Sequence, residues 1–479
     1  MKSIAFLALL AQTAVAQSVV GAADGFAKGV TGGGDAAPVY PADIDELTQL
    51  LTSSDPQVIV LDKEFDFTES LGGRITETGC APWGTAPECQ LAIDGTGTWC
   101  GDNPSVQVSY YEAPTQPIDV QSDKTIIGVG SKGVIKGKGL QFKGVSNIIV
   151  QNIHITTLNP EYVWGGDALG FAGAELIWID HVTTSLVGRQ HYVFHFEPST
   201  SITLSNNYID GQTDWSATCN GYHYWTIKLA GEADQITFMN NYIYHTSGRA
   251  PALEGGTLLH AINNVWSDNA GHVLEGDETA KGLFEGNVFE SIKTINQDFP
   301  GQLFTSPDAA TNAECEAALG RACEVNQVTD SDAEAFVGSD TGFFSEFAGL
   351  NIASAVAAAE AASSVPQNAG HGKISAADAS PAPVETPVTP EEVPEAVEPT
   401  AAPTTLVSSI APVSSTAALP TTLVSSLAPV VSSTAVEVVP TLVPEPTTSV
   451  APPAATEAPA TCNKRRRRSL RRRARHARR

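Results

Sequence analysis

Between Asn152 and Pro251 a short strand-like unit recurs, each copy reaching an Asn or Asp and then a brief apolar step: VQNIHI, IWIDHV, LSNNYI, FMNNYI, followed by HAINNVW and FEGNVF. Taken at Asn152, Asp180, Asn207, Asn241, Asn264 and Asn287, the copies are separated by 28, 27, 34, 23 and 23 residues, so the bare unit is 23 residues and the earlier ones carry extra loop. A period in the twenties, β-branched residues in nearly every copy and almost no helical periodicity exclude a helical bundle and predict a stack of short strands. The expected fold is all-β, a right-handed parallel β-helix, or single-stranded β-solenoid, whose turns bury one continuous core.

Four unusual residues stand where a loop runs into the next apolar stretch: Asp167 in WGGDALGF, Arg189 in GRQHYVF, Trp225 in GYHYWTIKL and Arg249 in SGRAPAL. Their separations of 22, 36 and 24 residues are close to one turn each, apart from the enlarged middle one. Neighbouring turns of a parallel stack lie about 4.8 Å apart, so the four side chains are expected in one column on one outer face. Trp83, Trp99, Trp164, Tyr222 and Tyr224 lie near the same motifs. Apolar faces of sugars stack on aromatic rings, so with Trp225 they are candidate substrate-binding residues. Any single tryptophan is more often core than platform, and Trp178 and Trp266 are read as structural or unassigned.

The motifs WGGDA, WIDHVTT, GRQHYV, ATCNGYHYW and YHTSGRAP, in that order, resemble those of fungal pectin lyases of polysaccharide lyase family 1, and the resemblance spans roughly Val20 to Phe347. It implies a secreted, endo-acting enzyme that cleaves methyl-esterified homogalacturonan by β-elimination. It also implies disulfides Cys80 with Cys100, Cys89 with Cys219, and Cys315 with Cys323, where six cysteines alone allow 15 pairings. Cys462 is left over. An exported chain favours bridges over a cysteine metal site.

The chemistry of elimination gives the column its meaning. The proton on C5, alpha to the carboxyl carbon, must leave and the C4 oxygen must be expelled. An ionised carboxylate there calls for a cation to stabilise the enolate, whereas a methyl ester is already an acceptor that hydrogen-bond donors can serve. Related pectate lyases hold calcium with clustered carboxylates, and calcium takes 6 to 8 oxygen ligands. Here the turn after WIDHVTTS carries Arg189, beside which Asp167 and Asp180 remain, so no metal and no cofactor are expected. The resemblance assigns proton removal to Arg249. A guanidinium yields a proton only where its surroundings disfavour its charge, and repulsion from Arg189 is one such influence. The alternative is that both arginines stabilise the enolate while water or hydroxide takes the proton. Asp167 is expected to hold an arginine or a sugar hydroxyl. His191, His223 and His245 are competing bases, each set among aromatics where a structural role suffices.

Charge narrows the partner. The chain has 27 basic and 53 acidic residues, a net charge of -26, and eleven of the bases lie in Lys464–Arg479, leaving 16 against 53 elsewhere, or -37. Such a body repels polyanions, which disfavours nucleic acid and fully ionised polygalacturonate and tolerates esterified pectin. Acidity also keeps an exported protein soluble, so this clue does not stand alone.

The remaining organisation follows the chain. Residues 1–16 read as a secretory signal, with Lys2, the apolar run Ile4 to Leu10 and the cleavage site Ala14-Val15-Ala16, and no stretch reads as a membrane span. Pro41 to Thr52 predicts a helix with a stripe of Ile44, Leu47, Leu50 and Leu51, suited to capping the stack. The lyase domain is expected over 17–353, as a monomer, with Ala309 to Ala353 along its outside. Residues 354–463, rich in Ala, Pro, Ser, Thr and Val, with TTLVSSIAPVSSTA nearly repeated from Thr421, predict a disordered, O-glycosylated stalk. The polybasic tail 464–479 either adheres to anionic wall polymers or is a processed or neutral extension.

Overall fold

The computed structural model describes residues 18–94, 97–332 and 336–374. The expected signal segment, the polybasic tail, Cys462 and all of the expected stalk beyond residue 374 lie outside them. The described chain is a right-handed parallel β-helix with three faces. The first is a ten-stranded sheet running from Pro38–Val39 to Gln302–Phe304. The second runs from Glu64–Asp66 through His154–Leu158, Thr183–Val187, Tyr208–Asp210 and Tyr242–Thr246 to Gln327–Thr329. The third takes Ile118–Asp119, Leu140–Lys143, Leu169–Ala172, Tyr192–Phe194, Ile227–Leu229 and Ala252–Leu253. One strand, Val265–Gly276, pairs with both of the last two faces, and its register shifts between Asn269 and His272, as a bulge requires to turn a strand through a corner.

Parallel pairing sets like on like. On the first face Val150, Ile179, Leu204, Phe238, Ala261 and Phe284 are direct partners in successive turns, all buried. On the third face Phe142, Phe171 and Phe194 stack with centroids 5.1 and 4.2 Å apart. These columns fill the interior at the density a core needs, which is why the apolar half of each repeat is β-branched or aromatic.

The corner between the first and second faces explains the asparagines. Asn207, Asn241, Asn264, Asn287 and also Asn326 form a buried ladder: the backbone and side-chain N–H groups of each donate to Oδ1 of the next at 2.7 to 3.0 Å. Each of Asn207, Asn241, Asn264 and Asn287 also donates from Nδ2 to a first-face carbonyl. Buried polar groups at a bend are thereby satisfied without water. The two earliest expected anchors fall outside this row. Asn152 stands one place earlier, at a left-handed position (φ 58°) shared by His181, Asn206, Asn240 and Asn263, because Asn tolerates that conformation better than most residues. Asp180 ends the first-face strand Glu175–Asp180 and is buried, accepting from Ser205 Oγ, Asn206 Nδ2 and Gln151 Nε2 and bonded to His181 Nδ1. The ladder positions of those two turns are Ile153 and Val182.

The predicted cap is present as the helix Ile44–Thr52, whose N-cap Asp43 accepts from the backbone of Asp45 and Glu46. Leu47 and Leu51 are buried in the solenoid core, with Ile44 and Leu50 packed against it. The segment around Cys80 to Cys100 is more ordered than a loop-rich reading suggests. Arg74–Cys80 pairs antiparallel with Ser105–Tyr111 and Leu91–Ala92, and the last joins Tyr162–Val163 in a four-stranded sheet. At the far end Cys315, Leu319, Phe344 and Phe347 pack on Leu258, Leu283 and Phe304, outside the first face.

The packed domain does not stop at residue 353. The helix Ala358–Asn368 lays Ala358, Ala361 and Val365 on Val265 and Val288. The chain beyond it is then tied back by Gly370 N to Asn206 O, His371 N to Thr183 Oγ1 and Gly372 N to Asn152 Oδ1. Small residues make a narrow apolar stripe here, and their composition is that of the stalk that follows.

Candidate active site

On the third face Leu169, Tyr192 and Ile227 are register partners, and Lys228 opposite Ala252 places Ile227 beside Pro251. Two residues before each stand Asp167, Gln190, Trp225 and Arg249. The expected column is therefore real for Asp167, Trp225 and Arg249; Arg189 sits one residue out of step, and the in-step Gln190 is fully buried.

Each guanidinium has a carboxylate on one side and an aromatic face on the other. Arg189 lies 3.9 Å above the Trp164 ring, with Nε 4.0 Å from Asp167 Oδ1. That carboxylate oxygen also accepts the backbone N–H of Gln190 at 2.7 Å. Arg249 lies 5.0 Å from the Trp225 ring and 5.9 Å from Tyr224, and its Nε donates to Glu275 Oε1 at 3.0 Å. Arg249 itself is left-handed (φ 48°), a conformation that costs a non-glycine residue of order 1 kcal/mol and is held by its surroundings. Glu275 is further bonded to His272 Nε2 at 2.6 Å. Burial would push its carboxyl up, but the His272 hydrogen bond and the Arg249 charge hold it below the usual carboxylate value.

The tryptophans form one continuous wall. Ring centroids run Trp225 to Trp83 at 6.0 Å, Trp83 to Trp99 at 6.3 Å and Trp99 to Trp164 at 6.3 Å, all four rings partly exposed. Two ties fix it to the stack. Gln90 accepts from Trp225 Nε1 at 3.1 Å while its Nε2 donates to Gly188 O at 2.7 Å. The disulfide Cys89–Cys219 joins the same two segments, and Cys80–Cys100 and Cys315–Cys323 complete the three bridges expected.

Other expected residues go elsewhere. Tyr224 borders Arg249, but Tyr222 turns the opposite way, stacking on His245 at 3.6 Å and donating to Asp268 Oδ1, because it precedes the parallel bridge of His223 to Thr246 at the corner of the second face. His223 is buried, its Nε2 2.7 Å from Arg189 O and 3.0 Å from Trp225 O, so it pins two loops. His191 is buried beside it, and burial drives its pKa well down. His245 is bound to Asp268 away from the arginines. Trp178 and Trp266 are buried, bonded to Ser205 Oγ and Ala250 O. Asp180, expected beside Arg189, is on the first face.

Sequence reasoning missed Glu275, His272 and Lys228. The signal for Glu275 was available, since it lies 26 residues beyond Arg249 and continues the column's own spacing by one turn. Among the described residues, no three His, Cys, Asp or Glu side chains are grouped to hold a metal ion.

With this geometry in view, similarities to known proteins can be placed. A family model described as pectate lyase matches residues 2–374. The chain is 61% identical over 368 residues to a probable pectin lyase A of Aspergillus flavus, covering 76% of this chain and 96% of that protein. It is 53% identical over 370 residues to pectin lyase A of Emericella nidulans, covering 76% and 97%. A solved pectate lyase bound to a hexasaccharide aligns over 76% of this chain and 100% of its own at 16% identity, with a TM-score of 0.49, too loose to add to the fold already described.

Proposed function

From the premise that this chain belongs to the pectate lyase family and is a polysaccharide lyase, we propose that it is a secreted, endo-acting pectin lyase that cleaves methyl-esterified homogalacturonan without a metal. The observation that carries this reading is the pairing of both arginines. Asp167 faces Arg189 and Glu275 faces Arg249, so the carboxylates bordering the site are already engaged with fixed cations and are poorly placed to gather a calcium ion. What the cleft offers instead is two guanidiniums against an aromatic wall, suited to an uncharged ester carbonyl.

In the reaction the C5 proton leaves to a base and its electron pair delocalises onto the ester carbonyl. The C4–O bond then breaks, a proton goes to the departing oxygen, and a C4–C5 double bond remains. Of the two roles open to Arg249, charge stabilisation is the better supported. Deprotonating it would leave the largely buried carboxylate of Glu275 without its cation, a costly state. We therefore assign Arg249 and Arg189 to the developing enolate oxygen, with water or hydroxide as base. Asp167 orients Arg189, and Trp83, Trp99, Trp164, Trp225 and Tyr224 form the sugar platform.

Export is supported by the signal-like residues 1–16 and by three disulfides, which persist in oxidising compartments. No helix among the described residues is long and apolar enough to cross a membrane. We take the enzyme to act as a monomer, with its basic tail adhering to anionic wall polymers.

The test is the ultraviolet absorbance of unsaturated uronides released from highly methylated pectin and from polygalacturonate, each with calcium and with chelator. Release from pectin that survives chelation is expected. Release only from polygalacturonate with calcium refutes the arginine reading, and no release from either substrate indicates a non-catalytic pectin-binding wall protein.

A further inference from the structure

We propose that Glu275, steadied by His272, is a positioning residue for Arg249 in the eliminative reaction, an inference that rests on the function proposed above. Arg249 is one of the longest and most freely rotating side chains, and holding it in one place ahead of substrate is itself a contribution to rate. The structure holds it from three directions. Nε donates to Glu275 Oε1 at 3.0 Å, and the rings of Trp225 and Tyr224 lie 5.0 and 5.9 Å from the guanidinium carbon. Fixing Nε fixes the plane of the whole guanidinium, since that group is rigid.

Glu275 is in turn held by more than its own rotamer. Its second oxygen is 2.6 Å from His272 Nε2, and the His272 ring stands edge-on to Tyr224 with centroids 5.9 Å apart. The two turns are sewn together beneath these side chains by His272 N to Ser247 O, Ala250 N to Val273 O and Glu275 N to Pro251 O. The bulge between Asn269 and His272 brings this short segment onto the third face, and bulges commonly re-aim side chains beside active sites. Both carboxylate oxygens are occupied, so Glu275 itself is poorly placed to take a proton from substrate. It acts through Arg249.

The experiment uses the full chain with Glu275→Gln, Glu275→Ala and His272→Gln, assayed by uronide absorbance on highly methylated pectin, with Tm recorded for each. Glu275→Ala is expected to lower kcat about 10- to 100-fold with KM within about threefold of the parent, as expected when an interaction serving the transition state is lost. Glu275→Gln should lose less, because an amide oxygen still accepts from Nε, and His272→Gln should shift kcat in the same direction by a smaller factor. A kcat within twofold of the parent for both Glu275 variants overturns the proposal. So does a raised KM at unchanged kcat, which would make Glu275 a substrate contact, or a rate loss that matches the loss of folded protein, which would make it structural. If the parent enzyme itself releases no unsaturated uronide, the proposed function fails first and the positioning role falls with it.

Discussion

Asn264 lies in the middle of the asparagine ladder, and replacing it with alanine removes four hydrogen bonds from a site with no exposure. Its Oδ1 accepts from the backbone N and Nδ2 of Asn241 at 2.9 and 2.8 Å, and its Nδ2 donates to Phe238 O at 2.7 Å and to Asn287 Oδ1 at 3.0 Å. Asn241 Nδ2 keeps Leu204 O and Asn287 Oδ1 keeps the backbone N–H of residue 264, so those losses are ordinary, about 1 kcal/mol each. The backbone N–H of Asn241 and the carbonyl of Phe238 lose a partner in a dry corner, about 1–3 kcal/mol apiece. Allowing for relaxation, Asn264→Ala is expected to cost about 3–5 kcal/mol in urea unfolding, with the lyase rate of the folded protein unchanged. Because Asn241 and Asn264 share bonds, the double alanine variant should cost less than the two single variants added together. A single-variant loss under about 1 kcal/mol, or strict additivity, refutes the idea that the ladder carries the corner.

Two further outcomes concern the ends of the site. Glu285 is buried between His260 and Arg321; burial would raise its carboxyl, but these two partners outweigh that and hold it at about 2, against 4.5 for an ordinary glutamate. A depressed acid contributes stability that is present above its unfolded value and lost as pH falls through the folded one, here about 3 kcal/mol across pH 4.5 to 2. Plots of Tm against pH for the parent and Glu285→Gln should therefore converge on acidification, and a constant gap would refute this. Removing Cys89–Cys219, which closes a separation of 130 residues, should cost up to about 5 kcal/mol on the chain-entropy account. It should also reduce activity below the new Tm, since the bridge anchors the loop that carries Trp225; full activity in Cys89→Ser/Cys219→Ser would separate the bridge from the wall.

What the sequence makes legible is whatever repeats or sits in long motifs. The stack, the capping helix, the three bridges and the column of Asp167, Trp225 and Arg249 follow from spacing or from motif resemblance, because one turn of a parallel stack returns the chain to the same face. Register was harder. In Asn206-Asn207, Asn240-Asn241 and Asn263-Asn264 the first residue takes the left-handed bend and the second the ladder, and a lone Asn152 or Asp180 does not reveal which place it holds. Tyr222 and Tyr224 are two residues apart in sequence, yet the turn sends them to different faces. Glu275 belongs to no motif, and only contact with Arg249 gives it meaning. Residues 354–374 have the composition of a stalk, so their three-residue apolar stripe is visible only once Val265 and Val288 are there to receive it.

The site takes one side chain from each successive turn, and that gives it the property of a graduated ruler. Inserting a complete 23-residue turn between Trp225 and Arg249 would preserve every core column and every rung of the ladder, yet would move the two apart by one strand spacing, about 4.8 Å. Turns added beyond the column would leave its chemistry untouched and lengthen only the surface along which a polymer can lie. In such an architecture the reach of the enzyme along its substrate and the reaction it performs are set by separate stretches of sequence, and each is free to vary without the other.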